Sequence, residues 1–157
     1  MKIQFWSIGR KNERQYDEAI NDFTQRISRY FPVEWKLFPS AKSNDTNDIT
    51  QQKHEEAQVI LNALKPDCIL ITLDERGQQL TSEKLASLLQ NHADSSIKNL
   101  VFLIGGAYGV DKSLLARSTF IWSLSSLVFP HQLVRLILSE QIYRACTINR
   151  NEKYHHT

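Results

Sequence analysis

The chain has 157 residues, of which 41% are hydrophobic and 23% charged. That composition excludes wholesale disorder, and the length fits one domain over residues 1–157, since single domains run to roughly 100–200 residues. The formal net charge of +2 is unremarkable, and two cysteines without a CxxC exclude a disulfide framework and a cysteine zinc site.

Residues 2–8 (KIQFWSI) read as a first strand, ended by Gly9. Tyr16, Ala19, Ile20, Phe23, Ile27 and Tyr30 recur at spacings of three and four, which predicts a helix over residues 13–31. Pro32 marks its end. Val33, Trp35 and Leu37 alternate with Glu34 and Lys36, the pattern of a half-buried strand. Residues 40–48 (SAKSNDTND) are polar and turn-rich and predict a mobile loop. Residues 49–65 predict a helix with Ile49, Ala57, Ile60, Leu61 and Leu64 inward. Residues 68–73 (CILITL) form a continuous apolar run, as in a strand covered on both faces. A loop over residues 74–79 follows, then a helix capped by Thr81 or Ser82. Residues 100–104 predict another buried strand, and the longest apolar stretch is far too short to cross a bilayer. Asp111 can cap a short helix over residues 112–117, residues 120–124 predict a fifth strand, and residues 131–148 a long helix. Strands alternating with helices predict an α/β fold, a mostly parallel sheet with helices on both faces.

In such a sheet, ligands sit outside the carboxyl ends of the strands. Three turns end there: L-D-E-R-G at 73–77, G-G-A-Y-G at 105–109, and residues 124–130. The glycine run is not the G-x-G-x-x-G of a dinucleotide site. The turn after the fifth strand carries Leu127, Val128 and Phe129, apolar groups able to enclose an adenine ring. His131 opens the last helix, where the dipole disfavours a protonated ring. Leu133, Val134, Ile137, Leu138, Ile142 and Ala145 form an apolar stripe suited to a subunit interface, with Arg135, Glu140, Tyr143 and Arg144 partly off it. Glu55-Glu56 and Asp74-Glu75 read as solvated. No metal site is expected, because His155-His156 is adjacent rather than at helical spacing. Charge is uneven: residues 112–157 carry six Lys/Arg against two Asp/Glu, which favours a polyanionic partner. The N-terminus lacks a signal-peptide pattern, and a cytoplasmic protein without membrane contact is expected.

Taken in order, KIQFWSIGR, ITLDERG, FLIGGAYG, WSLSSLVFPHQLVRLILSEQIYRA and KYHH resemble one family almost end to end. It is the RlmH-type 23S rRNA pseudouridine N3-methyltransferases, small members of the SPOUT class. The resemblance implies a C-terminal trefoil knot, S-adenosylmethionine as cofactor, a homodimer, and rRNA of the assembled ribosome as substrate. It assigns cofactor contacts to Leu73, Gly105, Leu124, Ser125, Ser126, Leu127, Val128 and Phe129. With the tail's polarity it assigns substrate chemistry to Arg144, Tyr154 and His155, and it leaves His131 and Glu140 in reserve, either for that chemistry or for orienting the loop or the dimer. Members often carry Pro-Glu between the glycines, where this chain has Ala107-Tyr108. They often end Tyr-His followed by Arg or Lys, where this chain has Tyr154-His155-His156-Thr157. Two other readings stand beside it: a non-catalytic nucleotide- or RNA-binding module that keeps the pocket, and a nicotinamide oxidoreductase, which would lack its glycine fingerprint.

Overall fold

The computed structural model describes residues 1–41 and 48–156. Strands and helices alternate along them: β1 (Lys2–Ile8), α1 (Arg14–Ile27), β2 (Val33–Phe38), α2 (Ile49–Ala63), β3 (Ile69–Gln78), α3 (Ser82–Asp94), β4 (Asn99–Ile104), α4 (Lys112–Arg117), β5 (Phe120–Trp122) and α5 (His131–Asn149). The strands form one sheet in the order β2-β1-β4-β3-β5, and each neighbouring pair is parallel. The expected α/β architecture is therefore present.

Side-chain alternation splits the core into two layers. Ile3, Phe5, Ile71, Leu100 and Phe102 face α1, α3 and α5, through Ile27, Leu85, Leu89, Leu138 and Ile142. Trp6, Ile8, Leu70, Val101 and Leu103 face α2 and α4, through Ala57, Ile60 and Leu114. Steps toward the β2 edge use helices of the first layer, and steps toward the β5 edge use helices of the second. The four crossovers thus share one hand, as twisted strands require. Central β4 shows burial of Leu100 to Ile104 without a break, because helices cover both its faces.

Ile49, expected on the inward face of α2, opens that helix 44% exposed, and three further local expectations change. The loop foreseen at residues 74–79 is the irregular end of β3. Both Leu73 and Gln78 pair with Trp122, so residues 74–77 bulge out between them. Gly77 permits this, because a Cβ there would lie 2.5 Å from the Ile121 carbonyl oxygen. Strand β5 stops at Trp122, two residues early, which releases Ser123 and Leu124 into the next turn. Arg135, expected partly off the apolar stripe, is 1% exposed. The loop expected at residues 40–48 lies mostly outside the described residues. Two caps fall where the sequence puts them: Thr81 Oγ1 accepts the Lys84 N–H at 3.2 Å and Asp111 Oδ2 the Ser113 N–H at 3.0 Å. Both cysteines are buried and free.

Candidate active site

A parallel sheet puts all its strand carboxyl ends on one rim. There the bulge of β3, the glycine turn after β4 and the turn after β5 surround a cleft of about 530 Å³. That volume suits a nucleotide-sized ligand, since small-molecule pockets span roughly 300–1,000 Å³. Of the expected cofactor contacts, Leu73, Gly105, Leu124, Ser125, Leu127, Val128 and Phe129 line the cleft, and Ser126 does not. The first turn of α5 closes one side with His131 and Val134.

The glycine turn is fixed by its own packing. The Gly109 N–H donates to the Gly106 carbonyl at 3.1 Å, and Gly109 takes φ +87°, a region that favours glycine. A Cβ on Gly105 would lie 2.6 Å from Val110 Cγ2, and one on Gly106 2.8 Å from Glu56 Oε2. A side chain at 105 would press on Val110, and one at 106 would require the Glu56 carboxylate to move. The turn after β5 is held by side chains acting on its own backbone. Ser125 Oγ accepts the Leu127 N–H at 3.0 Å, and Ser123 Oγ donates to the Ser125 carbonyl at 3.0 Å.

Two acidic groups read as solvated are not. Glu56 is 6% exposed, four residues before Ile60 on the inward stripe of α2, and accepts the Ala41 N–H at 3.2 Å. Asp74 lines the cleft with its carboxylate gripped by Arg76, Nε to Oδ1 and Nη2 to Oδ2, both at 2.8 Å. The guanidinium, with the Arg76 backbone N–H, holds the Asp74 carboxyl below its ordinary value and so ionised at neutral pH. An acidic residue two positions before an arginine, just past a buried strand, was the available signal. His131 is held below its ordinary value by burial first and by the nearby Arg135 cation second. The cleft therefore offers an apolar wall able to enclose an adenine ring, a neutral imidazole, and at its polar side the Asp74–Arg76 pair and Lys53.

Arg144, Tyr154 and His155 come together, but elsewhere. Arg144 and Tyr154 meet on Glu140, one helical turn before Arg144, and His155 joins them through Arg144. Glu140 Oε1 accepts Arg144 Nη2 at 2.7 Å, Arg144 Nε at 3.1 Å and the Tyr154 hydroxyl at 3.0 Å. The Arg144 guanidinium lies 4.7 Å from the Tyr154 ring centre. Burial, and then the bond to Glu140, raise the Tyr154 phenol above its ordinary value, so it stays a neutral donor. His155 bridges two elements: Nδ1 is 3.3 Å from Arg144 Nη1, and Nε2 is 2.9 Å from Glu83 Oε1 on α3. Arginine can only donate, so Nδ1 is an acceptor and Nε2 carries the proton toward Glu83. Sequence reasoning missed Glu83, which is a long-range partner with no motif of its own. The tail is anchored to the body as well: the Tyr30 hydroxyl donates to Glu152 at 2.6 Å, and the rings of Tyr143 and Tyr154 meet edge to face at 4.7 Å.

None of these tail groups lines the cleft. Arg144 stands thirteen positions after His131 on α5, about 20 Å away at 1.5 Å per residue. The cleft end is fixed to the sheet by Arg135. Its Nε donates to Ser7 Oγ, and its Nη1 to the Arg10 carbonyl and Asn12 Oδ1, each at 2.8 Å. It ties the end of β1 to the first turns of α5.

A family model described as "Predicted SPOUT methyltransferase" matches residues 1–155. The chain belongs to the SPOUT methyltransferase family. It is accordingly a methyltransferase, and membership implies a methyl donor. Curated relatives span its full length. One from Parabacteroides distasonis, "Ribosomal RNA large subunit methyltransferase H", is 40% identical over 156 residues, 99% of each chain. A protein of the same name from Cytophaga hutchinsonii is 39% identical, covering 99% of this chain and all of its own. A crystal structure of a probable methyltransferase from Bordetella pertussis superposes with a TM-score of 0.58 at 13% identity, over 92% of this chain and 93% of that one. That likeness concerns the fold alone. Among the described residues no helix is long and apolar enough to cross a membrane, and no three His, Cys, Asp or Glu side chains are grouped to hold a metal ion.

Proposed function

We propose that this SPOUT methyltransferase transfers a methyl group from S-adenosylmethionine to N3 of a pseudouridine in 23S rRNA of the ribosomal large subunit, in the cytoplasm. The reading is carried by the convergence of the three turns on one cleft, in a chain that matches rRNA methyltransferases from end to end. S-adenosylmethionine supplies an electrophilic methyl group on a cationic sulfur. Leu73, Leu124, Leu127 and Phe129 would enclose its adenine and exclude water. The trefoil knot belongs to the same reading. Support comes from the turn after β5, which lines one cleft with residues 73–76 and 104–110.

The chain's residues would handle the acceptor as follows. Arg144 turns its guanidinium toward the imide oxygens and stabilises the anion that forms when N3 loses its proton. That movement frees His155 Nδ1, which takes the proton, while Glu83 holds the Nε2 proton and stabilises the resulting imidazolium. Tyr154, a neutral phenol, donates a hydrogen bond and keeps Glu140 in place.

The gap of about 20 Å between cleft and tail is closed by a second copy of the chain. On α5 the half-exposed Leu133 and Ile137 form a row that runs on to Arg144. A partner docked along that row meets the tail groups, so each site takes its cleft from one protomer and its tail from the other. The assembled ribosome suits such a protein, because preformed RNA shape supplies recognition that a small enzyme lacks.

Three measurements test this. Calorimetry reads donor binding, labelled methyl transfer to ribosomes reads catalysis, and mass mapping of rRNA from a strain without the protein shows one methyl missing from a pseudouridine. Donor binding with no transfer to ribosomes or rRNA would make the protein a non-catalytic module. Mixing a cleft-defective protein with a tail-defective one tests the shared site: random pairing restores about a quarter of wild-type turnover, and sites within one protomer restore none.

A further inference from the structure

We propose that Tyr108 is the stacking platform for the target nucleobase, a base-recognition subsite at the mouth of the cleft; the proposal rests on the rRNA reading above. Tyr108 sits at a corner of the turn that Gly106 and Gly109 close by an antiparallel bridge. Val110 against Gly105 and Glu56 against Gly106 stiffen that turn from below. The side chain nevertheless stands out, 53% exposed, and it makes none of the aromatic pairs that occupy other rings of this chain.

It has company. Leu127 is 69% and Val128 83% exposed, and both line the same cleft. Among the described residues the other large exposed apolar side chains are Ile49 and Val59 alone, so this rim holds most of them. Such a concentration marks a docking edge. The occupant it fits is a base unstacked from RNA. N3 lies on the pairing edge of a uracil ring, so the base must leave its stack to reach a methyl donor at the cleft floor. Once extruded, it needs a flat π surface, and the indifferent aliphatic groups of Leu127 and Val128 cannot supply one. Tyr108 can, whatever the base. Charge agrees, because Lys53 lines the same cleft and can meet a phosphate beside the base.

The test compares Tyr108→Ala, Tyr108→Phe and Tyr108→Trp in the full-length protein. Transfer is measured on ribosomal large subunits lacking the methyl group, donor affinity by calorimetry, and oligomeric state by sedimentation. The alanine variant is expected to raise KM for the ribosomal substrate about 10-fold, and the aromatic variants to stay within about twofold of wild type. Donor Kd and sedimentation are expected to remain at wild-type values. An unchanged KM in the alanine variant of an active enzyme would overturn the inference alone. So would a parallel loss of donor affinity, which would hand the ring to adenine, or dissociation into monomers, which would hand it to the subunit contact. A wild-type protein that binds the donor yet methylates no ribosomal RNA would remove the rRNA reading, and this subsite with it.

Discussion

The two ends of α5 do different work with different materials. At its first turn the helix closes a cleft made from backbone turns and apolar side chains, where position is set by packing: Val110 under Gly105, Glu56 under Gly106, Ser125 on the Leu127 N–H. At its last turns it carries a polar cluster, where position is set by hydrogen bonds that meet on Glu140. The first arrangement suits a ligand held in one shape. The second suits a step in which a cation and a proton must move, because Arg144 and His155 can change partners without repacking a core. The contrast teaches that the helix is rigid spacing between a binding end and a reacting end, so damage to one end should leave the other readable.

Arg144→Ala should separate them most sharply, lowering turnover on ribosomes by about 10³-fold while calorimetry finds donor affinity unchanged. Equal losses in both would mean that the tail builds the cleft. Arg144→Lys should recover little, since an ammonium cannot repeat the fork on Glu140. Next comes the tie between the first turns of α5 and the end of β1. Arg135→Ala leaves Ser7, Arg10 and Asn12 short of a donor and opens a cavity, and denaturant unfolding should find a loss on the order of 3 kcal/mol. A variant as stable as wild type would mean that the guanidinium joins nothing. Gly106→Val strikes the cleft end: the added carbons displace Glu56 and the turn, with about 1–3 kcal/mol of overpacking and about 10-fold weaker donor binding. The Arg144–Glu140–Tyr154 cluster should survive it, as crystallography of the variant would report.

The smallest effect concerns pH. Asp74 titrates below its ordinary value in the folded protein, so its stabilisation is complete above the unfolded carboxyl value near 4 and is lost as pH falls through the lower folded value. Arg76→Ala should return Asp74 toward its ordinary value. Acid unfolding should then begin at higher pH, with a cost at neutral pH of about 1 kcal/mol, because Arg76 is itself largely exposed. Coincident acid limbs for the two proteins would remove the pair from the account.

Much of this was legible in the sequence. Period-two and period-three-to-four patterns located the strands and helices, and apolar runs of five or six residues marked the strands buried on both faces. The three cleft turns could be read as strand ends carrying glycine or unexpectedly apolar residues. What was not legible depended on distance along the chain. Glu83 meets His155 across 72 positions, and Arg135 meets Ser7 across 128. A lone arginine on an apolar stripe reads as an interruption until its acceptors are found. The bulge at residues 74–77 was missed for a related reason, since charged residues after a strand look like a loop whether or not the chain rejoins the sheet at Gln78. The resemblance supplied the joint assignment of Arg144, Tyr154 and His155, which periodicity alone could not.

The Arg135 clasp also bears on how the protein is made. Strand β1 is synthesised before every other strand of the sheet, and it lies inside that sheet between β2 and β4. The end of that strand is secured by a side chain 128 positions later, in the last helix. Nascent chains truncated before α5 should therefore hold their opening segment loosely, accessible to protease, and become resistant only when the final helix has cleared the exit tunnel.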